Sequence, residues 1–288
     1  MKGIIVAAGY GTRFLPVTRT VPKEMLPLVT VPAIQFIVDE FVAAGVRDIV
    51  ILTSRRKKCM EDYFDREVEL EGVFAREGRV DKLASLVPPD CSIAFIRQKR
   101  MLGTGHALLA ARPWIGSDAC VVAYPDDLHF GDVPLAAQLA AVHAQTGCSV
   151  MASYTESGDV SRYGVLDVDP DGLHVRAMVE KPAPGTEPGR EVSVGRYLYT
   201  SEFFDLLAEG WEAHLAEAAA AGREPGEYYH VYALNELMRR GKVARCAIEG
   251  TRLDTGDPAG YLEAILRYAD ANAALRPVVD RFISTRSS

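Results

Sequence analysis

Residues 3–27 read GIIVAAGYGTRFLPVTRTVPKEMLP. An apolar run of strand character, GIIVA, leads straight into a loop with two close glycines, Gly9 and Gly11, together with Arg13, Arg19 and Lys23. Glycines let a backbone turn with its N–H groups bare, and the basic residues add positive charge, so the loop suits a phosphate chain. Two familiar fingerprints do not fit it. A G-x-G-x-x-G loop starting at Gly9 needs its third glycine where Phe14 stands, and no G-K-[ST] triplet closes a Walker loop.

Working outward, short apolar strands alternate with helical patterns. VPAIQFIVDEFVAAG sets Ile34, Ile37, Val38, Phe41 and Val42 on one helix face, with Pro32 to start the helix and Gly45 to stop it. DIVILT, SIAFIRQ and ACVVAY read as further strands, with TGHALLAAR as a helix between the last two. The first 150 residues therefore predict a doubly wound parallel sheet, in which ligand sites belong at the carboxyl ends of strands. Later, YGVLDVDPDGLHVRAMVEKP alternates like a hairpin about DPDG, and helices return after VGRYLYT. WEAHLAEAAAAGREPG predicts a surface helix ending near Gly222. No internal repeat or long linker interrupts the chain.

The composition bounds the function. A chain of 288 residues with 48% apolar content can bury one large α/β domain or two smaller ones. Its net charge of −7 argues against broad nucleic-acid binding, so a phosphate site must be a local basic pocket in an acidic protein. The one dense basic run, RRKK at Arg55–Lys58, is followed by the acids of CMEDYFD and reads as a solvated helix start. Cys59, Cys91, Cys120, Cys148 and Cys246 form no C-x-x-C pair and read as reduced thiols of a cytoplasmic protein. No apolar run approaches the ~18 residues of a membrane span, and no export leader is apparent.

Three motifs carry acids or a lysine to expected strand ends. AYPDDLHF delivers Asp126 and Asp127 after a buried strand; adjacent strand residues face opposite ways, so one should serve the crevice and the other support it. In TRLDTGDPAGY, Asp257 precedes Pro258 and a periodic run, which is an N-cap with proline at the first helical position, whereas Asp254 has no such local task. Two carboxylates distant in sequence that meet near a phosphate loop can hold one Mg²⁺. VEKP, residues 179–182, ends a strand with Glu180 and Lys181 at a rim.

Together AAGYGTRFLP, PKEMLPL, FDREVELE, RQKRMLGTGHA, PDD, YGV, VEKP, VGRY and DTGDPAGYL, in this order, resemble the sugar-nucleotidyltransferases over nearly the whole chain, and most of all the bacterial UTP–glucose-1-phosphate uridylyltransferases. The resemblance implies an α/β, Rossmann-like mixed sheet with a β-rich sugar lobe and C-terminal helices. It also implies a single domain with a nucleotide half (1–150), a sugar half (151–257) and a C-terminal helix and tail (258–288). It implies a Mg²⁺-dependent enzyme joining UTP to glucose 1-phosphate, with release of pyrophosphate, and a homo-oligomer that engages neither nucleic acid nor membrane. Backbone groups of Ala8, Gly9, Gly11 and Thr12 would surround the nucleotide, and Arg13 and Lys23 would meet its triphosphate. Gln98 and Gly103 match uracil-reading positions, and Gly164, Glu180 and Gly195 match contacts to the sugar hydroxyls. Lys181 matches the lysine on the sugar phosphate, and Asp126 with Asp254 the metal ligands.

Two departures bear on the sugar. Tyr232, in GEYYHVYAL, stands where the related enzymes carry an acid, and Thr104 replaces a more usual leucine. A thymidylyltransferase and a uridylyltransferase for another sugar are the nearest rivals. A non-catalytic sugar-nucleotide module on the same fold is a further alternative, opposed by retention of the acids and basic residues.

Overall fold

The structure, a computed structural model, describes residues 1–286, so residues 287 and 288 of the expected tail lie outside it. Strand β1 (Lys2–Val6) runs into the glycine loop, which closes on a small ribbon of β2 (Pro27–Leu28) and β3 (Val31–Pro32). Helix α1 (Ala33–Ala43) leads to β4 (Asp48–Thr53). Three short helices, α2 (Cys59–Phe64), α3 (Val68–Arg76) and α4 (Val80–Ala84), precede β5 (Ser92–Arg97), α5 (Gly103–Ile115) and β6 (Cys120–Ala123). β1 pairs in parallel with both β4 and β6, and β5 lies beyond β4. In chain order these strands run 3-2-1-4 across the sheet, the arrangement of a nucleotide-binding half.

The second half extends the same sheet with antiparallel strands. After β7 (Asp127–Phe130) and α6 (Leu135–Thr146) come β8 (Ser149–Thr155), the hairpin β9 (Gly164–Val168) and β10 (Val175–Glu180), and the long β11 (Glu191–Tyr199). Helices α7 (Ser201–Ala220) and α8 (Val231–Arg239) follow, then β12 (Val243–Ala247), β13 (Thr251–Asp254), α9 (Pro258–Ala271) and α10 (Arg276–Arg286). One end of β11 pairs with β6, and β11 also pairs with β8 and β9. The sheet is therefore continuous from its parallel part into its antiparallel part.

Both faces of the sheet are covered, which is why its central strands are apolar throughout instead of alternating. Ile5, Ile49, Ile51 and Val121 pack under Ile34, Ile37 and Phe41 of α1 and Leu139 of α6. Their neighbours Ile4, Val50, Leu52 and Val122 point the other way, onto Leu108 of α5, Phe203 and Leu207 of α7 and Leu234 of α8. At ~25 cal/mol per Å² of apolar surface removed from water, such two-sided burial is the main term holding the sheet.

Two expectations change. The alanine-rich stretch is only the outer part of α7, whose first turns bury Phe203, Phe204, Leu206 and Leu207. The run at residues 55–58 is not wholly solvated: Arg55, Arg56 and Lys58 are exposed, but Lys57 is buried at 4% exposure. Its ammonium meets Glu24 and the Ala7 carbonyl, so nearby acids in sequence were not its partners. The helix that follows begins at Cys59.

Candidate active site

A cleft of about 980 Å³ opens where the two halves of the sheet meet. Its lining includes Arg13, Asp126, Asp254, Gly256 and Asp257 together with Gly164, Glu180, Lys181 and Gly195. The loop after β1, Gln98 after β5 and Asp126 after β6 all stand at carboxyl ends of parallel strands, as the topology requires.

Asp126 stands in the turn between β6 and β7 and Asp127 opens β7, and the two take different partners. Asp126 Oδ2 receives a hydrogen bond from Lys23 Nζ at 2.6 Å. Burial would raise the Asp126 carboxyl, but the Lys23 ammonium, with Arg13 adding to it, holds it below its ordinary value. Burial would likewise lower Lys23, and Asp126 and Glu24 together hold it above its ordinary value. Each group thus stays charged in the partner's field. Asp127 turns away: Oδ2 accepts from the Gly195 N–H at 2.9 Å, and Oδ1 pairs with Arg252 Nε.

Pairing of β13 with β7 sets Asp254 opposite Asp127. The carboxylate does have local partners, contrary to the sequence reading: Oδ1 accepts from the Gly256 N–H at 2.8 Å and Oδ2 from Arg252 Nη2 at 3.1 Å. A Cβ built on Gly256 would lie 3.0 Å from Asp254 Oδ1 and 3.3 Å from Asp126 Oδ2, so both carboxylates flank this one backbone position. Arg13 Nη1 donates to the Gly256 carbonyl at 3.3 Å. Among the described residues no cluster of three or more acidic, histidine or cysteine side chains could enclose a metal. A cation here would draw its other ligands from phosphate oxygens and water, a donor set that suits Mg²⁺.

In the same lining, β9 and β10 bring Glu180 beside Gly164. Lys181 has φ 47°, a left-handed conformation that is strained for a lysine. It is held there by its N–H bond to the Tyr163 carbonyl at 2.9 Å. The strain turns the chain at the rim and leaves its side chain 64% exposed, close to Glu180. Gly195 must be glycine, because a Cβ would stand 2.5 Å from Asp127 Oδ2.

Gln98 and Gly103 also come together: Gln98 Nε2 donates to the Gly103 carbonyl at 3.1 Å. Gly103 has φ 88°, and a Cβ there would meet the Tyr228 carbonyl at 2.5 Å. These two, with Ala8, Gly9, Gly11, Thr12 and Lys23, lie outside the lining of the large cleft. Gly9 borders a small separate recess with Thr18, Ser54 and Lys57. Tyr232 is likewise outside the lining of the large cleft, and its ring lies against Gly210 of α7, whose Cβ would meet it at 2.3 Å.

Several residues escaped the sequence reading. Arg252 bridges Asp127 and Asp254 and stacks over Tyr154 and Tyr163; its place two residues before Asp254 on a strand was the available signal. Arg196, 1% exposed, pairs with Glu40 of α1 and donates to the Asp127 carbonyl, bracing the acidic loop from beneath. His230 lines the cleft with Nδ1 facing Thr104 Oγ1 at 2.9 Å and Tyr124 Oη at 3.1 Å, while its Nε2 is buried without a partner. Burial pushes this imidazole down to about 4, so it is neutral at neutral pH.

A doubly wound sheet with a glycine-basic loop, two converging acids and a lysine rim defines a nucleotidyltransferase. Residues 2–271 match the family model described as nucleotidyl transferase, and the chain belongs to that family. Within it, the chain is 36% identical to UTP–glucose-1-phosphate uridylyltransferase 2 of Staphylococcus saprophyticus, over 98% of this chain and 96% of that protein. The UTP-bound UGPase of Acinetobacter baumannii superposes with TM-score 0.86 at 29% identity, covering 98% of both chains. A UDP-glucose pyrophosphorylase complexed with UDP-glucose gives TM-score 0.77 at 33% identity, over 94% of this chain and 99% of that one. Nucleotidyltransferases of this kind generally use a divalent metal. Among the described residues no helix is long and apolar enough to cross a membrane.

Proposed function

We propose that this protein makes UDP-glucose and pyrophosphate from UTP and glucose 1-phosphate, with Mg²⁺ as its metal. The observation that carries the reading is the joining of Lys23 to Asp126 beside Asp254, in a cleft that Lys181 also lines. Relatives named for the same reaction, and neighbours with UTP or UDP-glucose, support it over the thymidylyl and other-sugar alternatives.

A phosphate oxygen of glucose 1-phosphate attacks the α-phosphorus of UTP in line, and pyrophosphate leaves. The attacking group is already an anion near neutral pH, so no general base is needed; the obstacle is bringing two polyanions together. Arg13 and Lys23 meet the triphosphate, while Lys181 meets the sugar phosphate. Each such charge is worth on the order of a few kcal/mol in a partly closed site. Asp126 and Asp254 would hold Mg²⁺, which would supply further positive charge to the phosphate oxygens.

Ala8, Gly9, Gly11 and Thr12 offer backbone groups to the nucleotide, and Gln98 with Gly103 reads the uracil edge. Gly164, Glu180 and Gly195 receive the sugar. The chain works as one unit with a nucleotide half (1–150), a sugar half (151–257) and a C-terminal segment. Exposed Leu262, Leu266 and Val278 on the last two helices favour assembly with a second copy. The free cysteines suit the reducing cytoplasm.

A screen for pyrophosphate release over nucleoside triphosphates and sugar 1-phosphates tests the whole reading. UTP with glucose 1-phosphate should be the best pair and should require the metal. A preference for dTTP would replace the nucleotide assignment, and no release with any pair would remove the activity.

A further inference from the structure

We propose that Lys57 is a positioning residue for nucleotide binding: its ammonium ties the start of the glycine loop to the Lys23 turn and so sets both before UTP arrives. The inference rests on the reading of that loop as the UTP site.

Its three protons have three acceptors. Lys57 Nζ donates to the Ala7 carbonyl at 2.6 Å and to Glu24 Oε1 and Oε2 at 2.8 and 2.7 Å. An ammonium has three donors and no more, so the group is fully satisfied within the protein. Lys57 and Glu24 are 4% and 1% exposed, which leaves them no direct part in binding a ligand from solvent.

The three segments held are the ones that matter to a triphosphate. Ala7 follows the last residue of β1 and begins the loop; its N–H is already fixed to the Leu52 carbonyl at 2.9 Å, so Lys57 fixes its other polar group. Glu24 and Lys23 are adjacent and point in opposite directions, Glu24 to Lys57 and Lys23 to Asp126. The turn Lys23–Met25 is thus pinned by an ion pair on each side. Lys57 itself sits in a turn closed by its N–H to the Ser54 carbonyl at 3.1 Å, just after β4.

Stability alone is a poor account of this arrangement. A buried ion pair spends much of its attraction on desolvation, and an apolar pair of similar volume is often as stable. What an apolar pair cannot do is grip a main-chain carbonyl and a carboxylate at once. The geometry of the loop is what would be lost.

The test compares the wild type with Lys57→Met and with the double variant Lys57→Met/Glu24→Leu, which removes both charges and leaves neither stranded. UTP is titrated by calorimetry without sugar phosphate, and KM is measured for each substrate. The double variant should keep its thermal midpoint, lose roughly tenfold or more in UTP affinity as the loop drifts, and keep its KM for glucose 1-phosphate. UTP affinity equal to the wild type, or an equal loss for both substrates, would overturn the proposal. A double variant that does not fold would also overturn it, by making the pair a requirement of folding. If the wild type binds no UTP, the parent reading fails, and this inference with it.

Discussion

Lys23 Nζ stands 2.6 Å from Asp126 Oδ2, although 103 residues separate them in the chain. This ion pair joins the nucleotide loop to the acid after β6, and the second acid, Asp254, arrives beside the same backbone position at Gly256. Asp126→Asn and Asp254→Asn should each lower the rate by roughly 100-fold or more, the scale of deleting one preorganised charge-stabilising group. Steady-state pyrophosphate release at saturating metal checks this, and near-normal turnover in either variant would remove that acid from the metal site.

The lysines should separate by substrate. Lys181→Ala should slow transfer by roughly 100-fold and weaken the use of glucose 1-phosphate, because its exposed side chain lines the cleft that holds Asp126. UTP titrated without sugar should still bind that variant. Lys23→Ala should instead weaken UTP binding, and the reverse pattern would exchange the two assignments.

Asp257 is a cap. Its Oδ1 accepts from the Ala259 and Gly260 N–H groups, both at 3.0 Å, with Pro258 at the first helical position. The Gly260 bond first, then Ala259 and Arg162, hold the carboxyl below its ordinary 3.8. Asp257→Ala should cost about 1 kcal/mol in urea unfolding at pH 7. Because the folded value is depressed, the contribution is present above 3.8 and fades as the pH falls through the folded value. A cost that persisted undiminished in acid would contradict the cap's charge.

His230 carries the opposite sign of burden. Buried and pushed down to about 4, it stays neutral in the fold while the unfolded chain takes up a proton below 6.5. Between pH 7 and pH 5 the protein should therefore lose on the order of 1–2 kcal/mol from this residue. His230→Leu should flatten that slope in denaturation series, and an unchanged slope would assign the acid sensitivity elsewhere.

Tyr232 should leave sugar choice alone. Its ring packs on Gly210 away from the cleft, so Tyr232→Phe should preserve the ranking of sugar 1-phosphates. A reordered ranking would return the residue to the sugar site.

The sequence by itself determined the parallel half of the sheet, because GIIVA, DIVILT and ACVVAY are apolar on both sides, a pattern that only strands covered on both faces need. It also determined the glycine loop and the capping of α9, since each follows from local stereochemistry, whereas the different partners of Asp126 and Asp127 come from a turn between two strands and not from strand alternation. What it left undecided were the partners. Lys57 read as solvent-facing because its acid, Glu24, is 33 residues away, and Arg252 carried no sign of bridging Asp127. Asp254 reached the cleft through the pairing of β13 with β7, and the contact of Tyr232 with Gly210 comes from the packing of α8 on α7. Local patterns fix a residue's element and face; which charge it meets is fixed only when distant strands come into register.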